Sequence, residues 1–244
     1  MNQETQIVSM FQTAQDQALV VIEGVQALKH AVRFGADIKH IATYDSAELE
    51  LLLAELAPDI APIIAKKVTV VSQQTFVKLS PKNHRTKVVS LASKKIYTSA
   101  DVANNRPIVF LEDPKDLENI GAVIRVAAAA DCAAVIADSQ VSIWHSAVIR
   151  GGAGLQFALP VFTMNLTTVT KNFKNRKLIA LDPTGKNIKE NLPSSESILV
   201  FGTERSGITK QTLERSDQVL SLPMKRGVSS LNLGTSVAAT LYLM

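Results

Sequence analysis

Short continuous aliphatic runs alternate along the chain with stretches in which apolar residues recur every three or four positions, the signatures of buried strands and one-faced helices. Residues 3–17 predict a polar helix with a thin apolar stripe, Ile7, Met10, Phe11 and Ala14. Residues 18–22 predict a strand and 24–34 a helix, ended by Gly35 because glycine tolerates the left-handed backbone needed after a last turn. A strand at 38–43, a helix at 46–56, a loop marked by Pro58 and Pro62, a strand at 67–71 and a helix at 73–79 follow. Alternation at this spacing predicts a small α/β domain with a mostly parallel sheet.

The stretch 80–106 breaks the pattern: Pro81, Asn83, His84, Asn104 and Asn105 stand among basic residues, with one apolar patch at 88–91. Its second half reads as a connection, dividing the chain into a domain at 1–92, a linker at 93–106 and a domain at 107–244. In the second domain the pattern predicts strands at 107–111, 133–137, 177–181, 198–201 and 218–222, and an extended segment at 157–162. Helices are expected at 120–130, 143–149, 167–173 and 209–214. The strands are unbroken apolar runs, as a sheet covered on both faces requires. Near the C-terminus, Ser230 and Asn232 flank Leu231 and lead into a final helix, whose first turn offers unpartnered N–H groups.

The lone cysteine, Cys132, lies in an apolar run and reads as a small buried hydrophobe, which excludes a disulfide framework or a cysteine-based zinc site and fits a reducing cytosol. The N-terminal residues lack the basic start and apolar core of a secretory signal, and the longest apolar run, 126–137, is broken by Asp131 and too short to span a bilayer. A soluble, cytoplasmic protein without a membrane partner is the expectation. Net charge is only +4, but residues 60–100 contain no Asp or Glu while holding Lys66, Lys67, Lys78, Lys82, Arg85, Lys87, Lys94 and Lys95. Such a segment suits an anionic partner, most commonly nucleic acid, or else forms a solvated basic face. His84 has no second ligand at useful spacing and reads as a surface or RNA-contacting side chain.

Two glycine patterns fail as nucleotide loops. G-T-E-R-S-G at 202–207 is followed by Ile208 and Thr209 where a phosphate loop needs Lys and Ser or Thr, and Glu204 repels phosphate. R-G-G-A-G-L-Q-F at 150–157 ends on Phe157 and follows a helix instead of a strand. A ligand without phosphate, such as an adenosyl group, stays open. In N-I-G-A-V-I-R, 119–125, Gly121 and Arg125 share a helical face. The glycine suits close approach to the backbone and the guanidinium suits phosphate or carboxylate; the alternative is an Asn119 cap with a surface ion pair.

The order N-I-G-A-V-I-R, then F-G-T-E-R-S-G, then L-P-M followed by S-L-N resembles the three motifs of the SpoU (TrmH) family of RNA ribose 2′-O-methyltransferases, within the SPOUT class. The resemblance covers residues 108–244 and implies a C-terminal α/β domain with a deep trefoil knot, S-adenosylmethionine as cofactor, no metal, and an active site at a homodimer interface. Carried over by position, Asn119, Arg125, Glu204, Ser230 and Asn232 match the functional polar residues, and Leu181, Gly202, Leu222, Met224 and Leu231 match the loops that hold the adenosyl moiety. Arg150 falls where the family often has an arginine. The first domain is similar in layout, and in the run E-G-V-Q-A-L at 23–28, to a ribosomal-protein-like substrate-binding domain; Lys78, Lys82, Arg85 and Lys87 are its expected RNA contacts. Departures are Glu118 in place of the usual glycine, and Gly152 and Gly234 in place of serine. The resemblance implies methylation of ribosomal RNA, with a transfer-RNA enzyme or a non-catalytic RNA-binding member as alternatives.

Overall fold

A computed structural model describes residues 3–14, 18–80, 87–203 and 206–244. The chain divides into two compact units, Met1–Lys95 with Ala153–Ala158, and Ile96–Gly152 with Leu159–Met244.

In the first unit α1 (Gln3–Gln12), β1 (Leu19–Glu23), α2 (Val25–Arg33), β2 (Ile38–Thr43), α3 (Ser46–Leu56), α4 (Ala61–Ala65), β3 (Val68–Val70), α5 (Gln73–Leu79) and β4 (Val88–Ser93) follow in order. Asp45 and Ser72 cap α3 and α5 by accepting from Glu48 N and Thr75 N. The sheet runs β1-β4-β2-β3, with β4 antiparallel to both neighbours and β2 parallel to β3. The expected mostly parallel sheet is therefore corrected. The strands that alternate with helices, β1, β2 and β3, do share one direction. The apolar patch at 88–91, however, is a strand that inserts between β1 and β2 in the opposite sense. Val88, Val89, Leu91 and Ala92 are fully buried there, so the patch is apolar because it is the centre of the sheet. Pro62, expected in a loop, starts α4, where a missing N–H costs nothing.

In the second unit β5 (Ile108–Glu112), α6 (Leu117–Ala129), β6 (Ala134–Asp138), α7 (Ser146–Gly151), β7 (Val161–Thr163), α8 (Leu166–Asn172), β8 (Leu178–Asn187), β9 (Ile198–Phe201), α9 (Lys210–Arg215), β10 (Gln218–Ser221) and α10 (Leu233–Leu241) build a six-stranded sheet, ordered β10-β8-β9-β5-β6-β7. Every pairing is parallel. Successive strand residues point to opposite faces. Accordingly Val109, Leu111, Val135, Ala137, Leu199 and Phe201 enter one core, with Ile120, Val123 and Ile124 of α6 and Val237 of α10. Ile108, Phe110, Ala134, Ile136, Ile198 and Val200 enter the other, with Leu166 and Val169 of α8. Both faces are covered, which is why the strands read as continuous apolar runs.

Residues 96–106 belong to this unit: Tyr97 packs against the second core, Val102 is buried, and Arg176 donates to the Arg106 carbonyl at 2.6 Å. Burial, and then the nearby Asp101 carboxylate, push the Tyr97 phenol up to about 12. The extended segment expected at 157–162 is shorter: Leu155–Phe157 is a 3-10 turn and only Val161–Thr163 is a strand. Short apolar runs do not distinguish these by periodicity. Cys132 is buried, and burial pushes its thiol up to about 12, consistent with a small core residue. Among the described residues no helix is long and apolar enough to cross a membrane.

Candidate active site

A cavity of about 480 Å³, within the ~300–1,000 Å³ of ordinary ligand sites, opens at the carboxyl ends of β9 and β10 and against the middle of β8. One wall arises from a break in strand pairing. Ala180 pairs with Val219 and Lys186 with Leu220, so two consecutive residues of β10 face a gap that residues 181–185 of β8 fill by leaving the sheet plane. Leu181, Asp182, Pro183 and Thr184 line the cavity from that excursion. The Asp182 carboxylate accepts from Thr184 N at 2.9 Å and from the Thr184 hydroxyl at 2.6 Å, which fixes the turn. Where the excursion rejoins, a Cβ on Gly185 would meet the Leu220 N at 2.6 Å, so only glycine fits.

The second wall is the loop after β9. Gly207 N donates to Thr203 O at 3.0 Å and Thr203 N to Gly207 O at 3.3 Å, closing a hairpin so tight that a Cβ on Gly202 would lie 2.1 Å from the Gly207 carbonyl carbon. Glu112, at the end of β5, ties down the loop's exit: it accepts from Thr209 N at 2.8 Å, from the Thr209 hydroxyl at 2.9 Å, and from the Thr212 hydroxyl. Sequence reasoning missed Glu112. Its signal was a carboxylate ending a buried strand, with T-x-x-T far downstream at a helix start. Glu204 lies outside the described residues.

The third wall comprises Leu222, Met224, Ser229, Ser230 and Leu231, with Leu233 and Ser236 of α10. Asn232 caps α10, its side-chain oxygen accepting from Thr235 N at 3.3 Å, while its Nδ2 donates to Asn119 Oδ1 at 2.8 Å. Two motifs 113 positions apart are thereby joined. The alternative reading of Asn119 as a cap is corrected: Asp116 caps α6, accepting from Asn119 N at 2.8 Å, which frees the Asn119 side chain for Asn232. Gly121 also gains a specific role. A Cβ there would meet Val148 O at 2.6 Å and Gly151 Cα and Gly152 N at 2.8 Å, so the backbone that closely approaches it is α7.

Leu181, Gly202, Leu222, Met224 and Leu231, the five residues expected to hold an adenosyl group, all line the cavity, as does Ser230. Asn119 and Asn232 stand beside it without lining it, and Arg125 and Arg150 do not line it. Arg125 is exposed and makes no hydrogen bond or ion pair with the described residues. Thr203 and Ser206 of the F-G-T-E-R-S-G run also line the cavity, and Asp182, Thr184, Ser229 and Ser236 are further polar lining groups that sequence reasoning did not single out. Of the basic residues expected to touch RNA, Lys78 is exposed at the end of α5. Lys82, Arg85 and the neighbouring His84 lie outside the described residues. Lys87 is engaged: its ammonium is 2.7 Å from Glu48 and 4.9 Å over the Tyr44 ring, and hydrogen bonding to Glu48 and then Tyr44 raises its pKa.

Residues 106–242 match the SpoU rRNA Methylase family. The chain belongs to this family. It is 28% identical over 145 residues to the 23S rRNA (guanosine(2553)-2′-O)-methyltransferase RlmP of Bacillus subtilis, covering 58% of each protein. It is 30% identical over 145 residues to the 23S rRNA (guanosine-2′-O-)-methyltransferase RlmB of Haemophilus ducreyi, covering 57% of this chain and 59% of that one. The chain thus spans less than two thirds of the length of these relatives. Among solved structures, the SpoU methyltransferase AviRb from Streptomyces viridochromogenes in complex with AdoMet matches with a TM-score of 0.81 at 18% identity, over 100% of this chain and 97% of that one. An RNA 2′-O ribose methyltransferase matches with a TM-score of 0.78 at 23% identity, over 98% and 93%. The second unit is a SpoU fold, mixed α/β on a parallel sheet.

Within that SpoU frame two of the departures, Gly234 and Glu118, acquire a physical reason. Gly152 caps the end of α7, and its backbone N faces Gly121. A Cβ on Gly234 would sit 3.1 Å from the Ala122 Cβ, so a small residue there lets α10 lie close on α6 and brings Asn232 to Asn119. Glu118 is exposed on the first turn of α6, where a carboxylate favours the helix dipole.

Proposed function

We propose that this chain transfers the methyl group of S-adenosylmethionine to a ribose 2′-hydroxyl of RNA, with ribosomal RNA as the substrate class. The observation that carries the reading is one cavity lined by all five residues expected to hold the adenosyl group, with the Asn119–Asn232 bond alongside. The cavity suits that cofactor: Leu181, Phe201, Ile208, Leu222 and Leu233 offer apolar surface for a base, and Thr203, Ser206, Ser229 and Ser230 offer polar groups for a sugar and an amino-acid tail. The family match and the names of the relatives support RNA methylation, and ribosomal RNA over transfer RNA.

The sulfonium carries the methyl as an electrophile, so what remains for the protein is alignment of the acceptor and disposal of one proton. The carbon–sulfur bond breaks as the carbon–oxygen bond forms, and the hydroxyl proton leaves to phosphate or water. A guanidinium is a donor without an acceptor site. Arg125 therefore grips the phosphate beside the target sugar and orients the hydroxyl. Asn119 and Asn232 lock the starts of α6 and α10 together, and Ser230 and Glu204 position the acceptor. In this reading the C-terminal domain is knotted, works as a cytoplasmic homodimer, and receives its RNA from the first domain through Lys78, Lys82 and Arg85, with Arg150 as a further contact. Tritiated-methyl transfer to bulk ribosomal and transfer RNA tests the activity: label in ribosomal RNA is expected, label in transfer RNA alone moves the substrate class, and none with either overturns the reading. Arg125→Ala should abolish transfer while leaving cofactor affinity within about threefold, less than one hydrogen bond's worth; calorimetry showing lost cofactor affinity would overturn the role given to Arg125.

A further inference from the structure

The segment 222–232 is cavity wall on both sides of a cationic turn. Leu222 and Met224 line the cavity before the turn, and Ser229, Ser230 and Leu231 line it after. Between them Val228 N donates to Lys225 O at 3.0 Å, and Gly227 holds a φ of +93° with nothing within 4 Å of where a Cβ would stand. The turn projects into open space at the edge of the site. Lys225 and Arg226 are exposed on it and meet no carboxylate or hydrogen-bond acceptor among the described residues.

Several cations of the same unit are engaged, whereas Arg125, Lys171 and Lys174 are as free as Lys225 and Arg226 but are not flanked on both sides by cavity-lining residues. Arg106 pairs with Asp131, Lys115 with Asp113, Lys210 with Glu214, and Arg176 donates to a backbone carbonyl. Among the described residues of the cavity wall, the one carboxylate, Asp182, already accepts twice from Thr184 through one oxygen. Two adjacent unpaired cations at the rim of a site create a local positive potential without local neutralisation, the arrangement that draws a polyanion and fixes its register. Lysine supplies a mobile point charge and arginine a two-pronged donor for phosphate oxygens.

We propose that Lys225 and Arg226 form a subsite for the backbone phosphates flanking the acceptor ribose. The inference rests on the methyl-transfer reading for the word acceptor, but the phosphate subsite is measurable without turnover. Because the turn and the cavity wall are one short segment, phosphates held there set where the sugar lies relative to Ser230.

The test is the salt dependence of polyuridylate binding by the full chain, comparing wild type with the double variant Lys225→Ala/Arg226→Ala. Each phosphate neutralised on a single strand contributes about 0.7 to the slope of log affinity against log salt. The double variant is therefore expected to lose about 1.4 from that slope while retaining S-adenosylhomocysteine affinity. Lys171→Ala/Lys174→Ala, in exposed residues that do not line the cavity, is expected to leave the slope unchanged. An unchanged slope in the first variant, or an equal loss in the second, would overturn the subsite. So would lost S-adenosylhomocysteine affinity at an unchanged slope, since it assigns the turn to the cavity wall alone. Wild type that binds polyuridylate with the full slope yet transfers no methyl group would sink the methyl-transfer reading and leave the phosphate subsite standing.

Discussion

Gly121→Ala sets two known effects against each other, and the geometry decides the sign. In an exposed helix this change stabilises by up to ~1 kcal/mol, because alanine has the higher helix propensity. Gly121 is buried inside α6, and its new Cβ would fall 2.6 Å from Val148 O, 0.8 Å short of the 3.4 Å at which ordinary contact begins, with Gly151 Cα and Gly152 N at 2.8 Å. All three neighbours are backbone, so no side chain can swing aside, and α6 and α7 must part. Overpacking of this kind costs ~1–3 kcal/mol, and rigid neighbours on several sides place it at the upper end. The net expectation is a loss of about 2 kcal/mol.

The chain's single tryptophan, Trp144, packs against the first core of the second unit, so its fluorescence during urea unfolding follows that unit. With a urea dependence of about 2 kcal/mol per molar, the midpoint should fall by about 1 M. Gly234→Ala is the companion. Its Cβ has one tight neighbour, the Ala122 Cβ at 3.1 Å, with Asn232 Oδ1 at 3.4 Å and the Ala122 carbonyl carbon at 3.9 Å in ordinary contact, and a shift of a few tenths of an ångström relieves it. There the propensity gain and the packing cost should nearly cancel, leaving the midpoint within about 0.3 M of wild type. A Gly121→Ala midpoint at or above wild type would refute the claim that glycine is required by the closeness of α7.

Two further perturbations address the cavity and the proposed RNA contacts. Glu112→Gln replaces one acceptor oxygen with an amide that faces donors at Thr209, so S-adenosylmethionine affinity should weaken about tenfold, the equivalent of one charge-assisted hydrogen bond, while polyuridylate affinity holds; calorimetry finding cofactor affinity unchanged would separate Glu112 from the cavity. Lys87→Ala removes a cation already matched by Glu48 and Tyr44, so the salt slope of RNA binding should not move while the thermal stability of the first unit falls; a slope reduced by about 0.7 would return Lys87 to the RNA interface.

How far the sequence could be read follows from the range of the forces involved. Strand β9 and helices α3 and α5 fall where periodicity and capping place them, because those signals are local. The antiparallel insertion of β4 was not legible, since nothing near residues 88–93 says which strands they will separate. Likewise the excursion at 181–185 leaves no local mark: Leu178–Asn187 is one strand by its backbone, and its interruption is set by pairing with β10 across a gap in sequence. Gly121 was legible as a position where something comes close, but not what comes close, and the tight approaches at Gly202 and Gly185 were not legible at all. At Gly121 it is a neighbouring helix, at Gly202 the far side of its own loop, and at Gly185 the strand β10.

That distinction bears on how the site is assembled. The residues carried over by motif divide by physical role once their neighbours are known. Asn119 and Asn232 spend side-chain hydrogen bonds on each other and on a helix cap, so their polar atoms are committed within the protein and act on a ligand through the placement of α6 and α10. Ser230 and Leu231 are exposed on the cavity wall, and Arg125, Lys225 and Arg226 are exposed without partners among the described residues, so these groups are the ones left to meet a polyanion. Under the proposed function, a site whose committed groups are tied to helix starts and whose rim carries Lys225 and Arg226 would hold its small ligand through preorganised walls. It would engage the large ligand through charge. Substitutions at the Asn119–Asn232 pair should therefore reach both binding events through the positions of α6 and α10, whereas substitutions at the rim cations should separate them.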